Sequence, residues 1–311
     1  PSSFGELKST TNQWIPKDAV DDLTFGTNGF YQKYGSTELA TSFTDSSSED
    51  HTITRNGDVT NSTAQKKIGD SSIYFDGNDS LEVAAPGSTF PVGTTWTLEG
   101  WFFLNTDPAT SATNLEMGSI DVTGSDDHDT SKFCIQAVSG NYGNVRFISG
   151  LDGGYNADEY FQTTGTSQLS QSTWTHIAVG QNSGTAFIYV DGVSQSVTTV
   201  GSPTFRSVTD TGEGYKIGAN TGGYGMNGYI DEFRISDVAR YTENFTPSTT
   251  AFTPDSNTKL LIHSNFDGGL GADSSGNGNN FAVTNLVATD QMVDVPTNNF
   301  ATLNSIANGY N

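Results

Sequence analysis

Cysteine is almost missing from this 311-residue chain: Cys134 stands alone, which rules out an intrachain disulfide. Basic residues are scarce, 13 Lys plus Arg against 35 Asp plus Glu, for a formal net charge of −22. Such a field disfavours nucleic acid and anionic membrane surfaces, and it suits divalent cations or solubility at high ionic strength. No apolar run approaches the roughly 18 residues that a membrane-spanning helix needs. The histidines are His51, His128, His176 and His263, far apart in the chain and without H-x3-H spacing. With a single thiol beside them they supply no zinc ligand set. A nucleophile elbow and a phosphate-cradling loop are missing too, which removes the common acyl- and phosphoryl-transfer signatures. Pro1 stands where an initiator Met would, so the chain reads as processed or as a piece of something longer.

What remains is rich in aromatics and glycine. The chain holds 19 Phe, 12 Tyr, 4 Trp and 35 Gly, with only 15% charged residues. A disordered chain would carry fewer aromatics and more charge, so the composition points to a turn-rich β protein of the secreted or particle-borne kind. Residues 174–236 organise it. Trp174-Thr-His-Ile-Ala-Val179, Thr185-Ala-Phe-Ile-Tyr-Val-Asp-Gly-Val193, Tyr215-Lys-Ile-Gly-Ala219 and Gly228-Tyr-Ile-Asp-Glu-Phe-Arg-Ile-Ser236 are β-branched and aromatic runs between turn residues. That pattern predicts consecutive antiparallel strands. Asp191-Gly192, between two runs, accepts the positive φ values of a two-residue hairpin turn. Asn56-Gly57 is a second turn signal, and Thr27-Asn28-Gly29-Phe30 a third.

Alternation places Trp96, Leu98 and Gly100 on one strand face and Thr97, Glu99 and Trp101 on the other. Lys132-Phe-Cys-Ile-Gln-Ala-Val138 alternates as well, which makes Cys134 a buried core thiol rather than a reactive one. Asn144-Val-Arg-Phe-Ile148 and Tyr160-Phe-Gln162 predict further strands, and Lys259-Leu-Leu-Ile-His263 a closing one. Asp237-Val-Ala-Arg-Tyr241 predicts one helical turn before Pro247. No longer helix is expected.

The organising stretch, with Gly69-Asp-Ser-Ser-Ile-Tyr-Phe-Asp-Gly77 and Trp96-Thr-Leu-Glu-Gly-Trp-Phe-Phe103 upstream in order, resembles a laminin-G-like, concanavalin A-type jelly-roll domain. The resemblance implies an all-β chain: a jelly-roll β-sandwich over residues 43–264, with irregular flanks at 1–42 and 265–311. An internal repeat gives the last segment its meaning. Asp45-Ser-Ser-Ser-Glu-Asp-His-Thr-Ile-Thr54 aligns without gaps onto Asp273-Ser-Ser-Gly-Asn-Gly-Asn-Asn-Phe-Ala282, so 265–311 resembles the start of a further module.

Trp14-Ile-Pro-Lys-Asp, Phe25-Gly-Thr-Asn-Gly-Phe-Tyr31, Val238-Ala-Arg-Tyr-Thr-Glu-Asn-Phe-Thr-Pro247 and Val295-Pro-Thr-Asn-Asn-Phe-Ala-Thr-Leu-Asn304 resemble segments of tail-fibre and other structural proteins of marine tailed bacteriophages. This second resemblance implies a virion component that contacts other virion subunits and host-surface glycans. It implies a homo-oligomer, such as a trimer, and no catalytic chemistry, with flanks that bury apolar surface against a neighbour. Neither a nucleic acid partner nor membrane insertion is expected. A secreted carbohydrate-binding or adhesion module of laminin-G type is the other class that the residues allow.

Hard cations such as Ca2+ take six to eight oxygens. In jelly rolls of this kind, acidic residues matching Asp76 and Asp231 often contribute to one structural Ca2+, so the resemblance implies these two as ligands. From the residues alone, each equally caps its own turn through a side-chain bond to backbone N–H. Asp126, Asp127 and Asp129 around His128 make an acidic loop, either a second cation site or a solvated turn. His176 alternates with Ala178 as a core or sheet-face residue. Glycosidases on this fold use carboxylates at alternate strand positions. Asp231 and Glu232 are adjacent, so strict alternation sends them to opposite faces and removes them as a catalytic pair. Tyr142, Tyr155, Tyr160 and Tyr224, in Gly- and Asn-rich loops, form a carbohydrate-binding rim or else anchor loops and subunits.

Overall fold

The computed structural model describes residues 5–16, 39–69, 71–78, 80–84, 90, 93–107, 115–120, 131–136, 143–151, 157–164, 169–205, 214–218 and 225–264. Backbone contacts divide the chain into two compact units, residues 1–39 with 266–311, and residues 40–265. In the first, β1 (Gly5–Leu7) and β2 (Trp14–Pro16) form an antiparallel hairpin with Leu7 opposite Trp14. Both side chains are exposed, an apolar cross-strand pair on the surface of that hairpin.

The second unit opens with β3 (Ile53–Asn56), β4 (Thr60–Ser62), β5 (Ser72–Asp76) and β6 (Ser80–Ala84). The long β7 (Trp96–Leu104) follows, then β8 (Leu115–Ile120), β9 (Ser131–Gln136), β10 (Asn144–Leu151) and β11 (Ala157–Thr163). Next come β12 (Thr175–Asn182), β13 (Thr185–Val190), β14 (Val193–Ser194) and β15 (Val197–Val200). The unit closes with β16 (Gly214–Ile217), β17 (Asn227–Ser236) and β18 (Thr258–Ile262). Two antiparallel sheets result. Sheet I runs β15-β11-β10-β9-β8-β16-β6-β3, and sheet II runs β14-β13-β12-β7-β17-β5-β4, with β18 also paired to β17.

The period-2 pattern explains why the sheets face each other. Trp96, Leu98, Phe102 and Leu104 of β7, with Ile177 and Val179 of β12, meet Val145 and Phe147 of β10 and Phe161 of β11 in one apolar core. Trp96 is its hub: its ring stands 4.4 Å from Phe147 and 5.0 Å from Phe205, and its Nε1–H donates to Gln181 Oε1 at 2.9 Å. Truncating a buried aromatic of this kind costs about 3–5 kcal/mol. The faces expected for β7 are therefore the observed ones.

The Asp191-Gly192 turn also forms as expected. Both residues have positive φ (48° and 76°), the signature of a type I′ hairpin between β13 and β14. The second arm is shorter than the sequence suggests. After Ser194 the chain leaves sheet II, and Val197–Val200 pairs with β11 in sheet I instead. Asn56-Gly57 is likewise a crossing and not a hairpin, because β3 pairs with β6 in sheet I while β4 pairs with β5 in sheet II. Residues 237–241 form no helical turn. They run along sheet II, tied by Thr97 Oγ1, which donates to the Val238 carbonyl at 2.7 Å and accepts from Arg240 N at 3.0 Å. Tertiary bonds to the sheet outcompete a helix too short to sustain itself. The Thr27–Phe30 turn and the 273–282 copy of the repeat fall outside the described residues.

Candidate functional site

The outer face of sheet II is built from charge and then covered. Glu99, on the polar side of β7, is wholly buried. Its Oε1 accepts from Arg234 Nε at 2.9 Å and Nη2 at 2.6 Å, and its Oε2 accepts from the Tyr241 hydroxyl at 2.6 Å. His176 Nε2 stands 3.4 Å from Glu99 Oε2, a polar contact outside hydrogen-bond geometry, with its ring edge-on to Trp101, Phe245 and Phe252. Burial opposes ionisation of Glu99, but His176, Arg234 and Tyr241 together hold its carboxyl below the usual range. Burial, reinforced by the Glu99 charge, pushes the Tyr241 phenol well up.

Residues 237–257 lie over this face as a strap. Tyr241 and Phe245 stack at 3.6 Å, Phe245 N donates to the Gly192 carbonyl at 2.9 Å, and Arg240 forks onto Asp255 at 3.0 and 2.8 Å. The strap passes so close to the hairpin that a Cβ at Gly192 would meet the Phe245 carbonyl.

A register shift in β17 between Asp231 and Arg234 alters the fate of the adjacent acids. Strict alternation would separate them. The extra residue of the bulge instead leaves both on the outer side, with Glu232 at φ 55°. Asp231 Oδ2 accepts from Lys67 N and Ile68 N at 2.9 Å each. Glu232 Oε2 accepts from Phe252 N at 2.7 Å, and Glu232 Oε1 lies 2.8 Å from His263 Nδ1. The expectation of opposite faces is thus corrected. Both carboxylates are nonetheless fully buried, so no sugar bond can reach them. Burial is the main force pushing the Asp231 carboxyl up to about 7, with the neighbouring Glu232 charge acting in the same direction.

Asp76 and Asp231 do not come together. Asp76 lies opposite Asn227 on β17, four positions from Asp231, about 13 Å along the strand. Asp76 Oδ1 caps its own turn by accepting Asn78 N at 3.1 Å, as the residues alone allowed. With its Oδ2 already taken by two backbone N–H groups, Asp231 has few oxygen sites left for a hard cation that wants six to eight. These residues do not fit a shared calcium site. Among the described residues, no group of three or more His, Cys, Asp or Glu side chains is placed to hold a metal. Asp126, Asp127 and Asp129 fall outside the described residues.

Asp45 went unnoticed as a site residue. Its Oδ1 accepts Ser47 N at 2.8 Å and Leu261 N at 3.0 Å, and its Oδ2 accepts His51 N at 3.0 Å. It therefore pins the loop before β3 onto β18. The Asp-Ser-Ser turn was legible locally, but the bond across 216 positions was not.

The outer face of sheet I is different. Among the described residues it has no counterpart of the strap. Arg146 of β10 lays its guanidinium 3.7 Å from the ring centre of Tyr160 on β11. Tyr160 is half-buried, Arg146 and Ile148 are nearly enclosed at 9% exposure, and Thr54, Thr198 and Val200 are exposed toward the sheet edges. Tyr160 is accordingly a strand residue whose ring carries a cation, not a loop-tip platform. Tyr142, Tyr155 and Tyr224 lie outside the described residues. Arg146 was passed over because its strand alternation was visible while its partner, on the next strand, was not.

An antiparallel two-sheet sandwich, with its core between the sheets and its charges on the outer faces, is a jelly roll of the lectin kind. The chain belongs to the concanavalin A-like lectin/glucanases superfamily, through the Laminin_G_3 family, whose model matches residues 75–244. No curated protein sequence matches it. Solved structures are similar at the level of fold. Domain 4 of AbnA, an extracellular arabinanase from Geobacillus stearothermophilus, in complex with arabinotriose, shares 19% identity over 64% of this chain and 85% of that one, TM-score 0.44. The enzymatically active domain of bacteriophage CBA120 tailspike protein 2 shares 12% over 76% and 36%, TM-score 0.41. The botulinum neurotoxin serotype D binding domain shares 13% over 65% and 45%, TM-score 0.41. This chain spans less than half of the last two.

Proposed function

We propose that the chain is a binding rather than catalytic module: a structural virion protein of a tailed bacteriophage that contacts host-surface glycans through the outer face of sheet I. The observation that carries this reading is the contrast between the two outer faces. Sheet II spends its polar side chains on an internal lattice under the strap, whereas sheet I holds the Arg146–Tyr160 pair on a face that no described segment straps. Aromatic and charged side chains held on a rigid sheet are among the groups that fix the orientation of a polar ligand. The exposed Leu7–Trp14 pair of the first unit is apolar surface that assembly would bury. The sequence resemblance of the flanks to tail-fibre proteins supports the particle.

A secreted adhesion module is the second reading. It is favoured by the compactness of residues 40–265 as a unit that closes shortly after β18. Light scattering on the full chain separates the two. A homo-oligomer whose mass falls to the monomer in Trp14→Ser supports the virion reading, and a monomer at all concentrations supports the secreted one. Absence of binding to every member of a broad glycan array would refute the shared glycan-binding claim.

A further inference from the structure

We infer that one end of the outer face of sheet II, beyond the strap, is a second carbohydrate site, and that it takes a single neutral glycan chain across its strands. This site is independent of the sheet I reading above. Strand register builds it. Tyr74 of β5 pairs with Tyr229 of β17, and Tyr229 pairs with Phe103 of β7. Trp174 stands one residue before β12, whose Thr175 pairs with Phe102, so it continues the row beside Phe103. Ring centres are 5.0 Å apart from Tyr74 to Tyr229, 5.7 Å from Tyr229 to Phe103 and 5.5 Å from Phe103 to Trp174. The alternate residues Ile73, Phe75, Phe102, Leu104 and Ile230 belong to the core, so the rings stand on the opposite side. They cross four strands, about 14 Å at the usual spacing.

The strap stops short of this row. Its ring contacts end at His176, which pairs with Trp101 one rung earlier. Among the described residues, no hydrogen bond or ring contact joins 237–257 to any of the four aromatics. Phe103 is nearly enclosed and forms the floor, whereas Tyr74, Tyr229 and Trp174 are half-buried. Neither the Tyr74 nor the Tyr229 hydroxyl has a hydrogen-bond partner among the described residues, and neither is enclosed.

A polar rung runs beside the rings. Asn227 pairs with Asp76, each two residues from its tyrosine. Asn105 Nδ2 donates to Asn227 Oδ1 at 2.9 Å, and Gln171 Nε2 donates to the Asn105 carbonyl at 2.6 Å. These bonds orient the amides and leave Asn227 Nδ2, Asn105 Oδ1 and Gln171 Oε1 to meet ligand hydroxyls.

The chemistry of the two rungs decides the occupant. None of the exposed large apolar side chains among the described residues (Leu7, Trp14, Val193 and Val200) belongs to the row, so it is not an apolar docking patch. A sugar presents C–H groups on its face and hydroxyls on its rim, which suits rings flanked by phenols and amides. An acidic glycan would meet the exposed Asp76 and a net charge of −22. No Lys or Arg belongs to either rung, and Lys67, on the other flank, lays its ammonium 4.1 Å from the Trp101 ring centre. Successive ring planes turn by 40°, 81° and 56°. A single twisting chain can follow such a row, whereas the flat face of a crystalline polymer cannot stack on all of it.

The test runs the full chain on native gels cast with mixed-linkage β-glucan, xylan or galactomannan as neutral polymers, or with alginate as the acidic one. Retardation by at least one neutral polymer is expected, with none by alginate and no depletion on microcrystalline cellulose. Tyr229→Ala should weaken the retarding interaction about 10-fold. Tyr74→Phe keeps the ring and loses the hydroxyl, and should weaken it about 3-fold. Trp174→Phe should remove the polymer-dependent change in tryptophan fluorescence, because Trp96 and Trp101 are buried. Should Tyr229→Ala fail to fold, the last two variants carry the test. Retardation by no neutral polymer, or full affinity in the folded variants, would overturn the inference. So would alginate retardation that Tyr229→Ala removes, or a Tyr229→Ala chain that changes its mass in light scattering and not its glycan binding. Retardation lost in Tyr160→Ser and kept in Tyr229→Ala would overturn it while the sheet I reading stands.

Discussion

The two outer faces of the sandwich solve opposite problems with similar residue types. On sheet II, Glu99 and Arg234 are buried and paired with each other, the half-buried Tyr241 donates to the same carboxylate, and residues 237–257 lie over them. On sheet I, Arg146 lies flat against the Tyr160 ring, and exposed residues flank it toward the sheet edge. A charge enclosed with its counter-charge serves the fold. Polar residues in strands therefore say little about function until their depth and partners are known.

The sharpest way to break this comparison is at Glu99. Glu99→Ala removes the acceptor for the Arg234 fork and the Tyr241 hydroxyl, leaving a buried cation uncompensated. The cost should be about 3–5 kcal/mol. For a unit of this size that lowers Tm by roughly 6–20 °C. Thr198→Ala, on the exposed edge strand of sheet I, should leave Tm nearly unchanged. Thermal denaturation by circular dichroism decides it: equal losses from the two faces would abolish the distinction.

A smaller effect belongs to Asp231. Its folded pKa is raised to about 7 from 3.8, so the folded state holds this proton more tightly than the unfolded chain does. The stabilisation is fully present below about pH 4, is lost as pH rises through 7, and amounts to at most about 4 kcal/mol for a three-unit gap. Asp45 and Glu99 are shifted downward instead, so what they contribute is lost only as pH falls below the ordinary carboxylate range. The window from pH 4 to pH 7 thus separates Asp231 from Asp45 and Glu99. Asp231→Asn, which mimics the protonated acid, should flatten the fall in Tm across that window. An unchanged slope would show that another group sets it.

Much of the fold was legible in the sequence because it follows from period-2 alternation and local turn chemistry. Trp96, Leu98 and the Asp191-Gly192 turn needed nothing beyond their neighbours. What escaped depends on distant partners. The bulge at Asp231-Glu232 arises where β17 passes from pairing with β5 to pairing with β18, and no local pattern marks it. The strap over Glu99 replaced an expected helical turn, because Thr97, 143 residues from Arg240, supplies the bonds that a helix would have made. The Arg146–Tyr160 pair was half visible: Tyr160 was chosen for its ring, while the cation that changes its role sits on the adjoining strand.

The smallest effect concerns calcium, and here the resemblance and the geometry disagree. A cation bound only by the folded state stabilises it by about 2.7 kcal/mol at a hundredfold excess over Kd, so a real site would register in a melt. Calcium–oxygen distances are about 2.3–2.6 Å, and carboxylates about 13 Å apart along β17 cannot both reach one ion. Asp231 is sealed beneath Lys67 and Ile68, and Asp76 is engaged with Asn78 at the end of β5. Adding a chelator should therefore leave Tm unchanged. A drop of several degrees that Asp76→Asn and Asp231→Asn do not abolish would place a cation elsewhere, on oxygens that the family pattern does not name. A drop abolished by either substitution would mean that the two carboxylates approach each other in solution, against the register that β5 and β17 share.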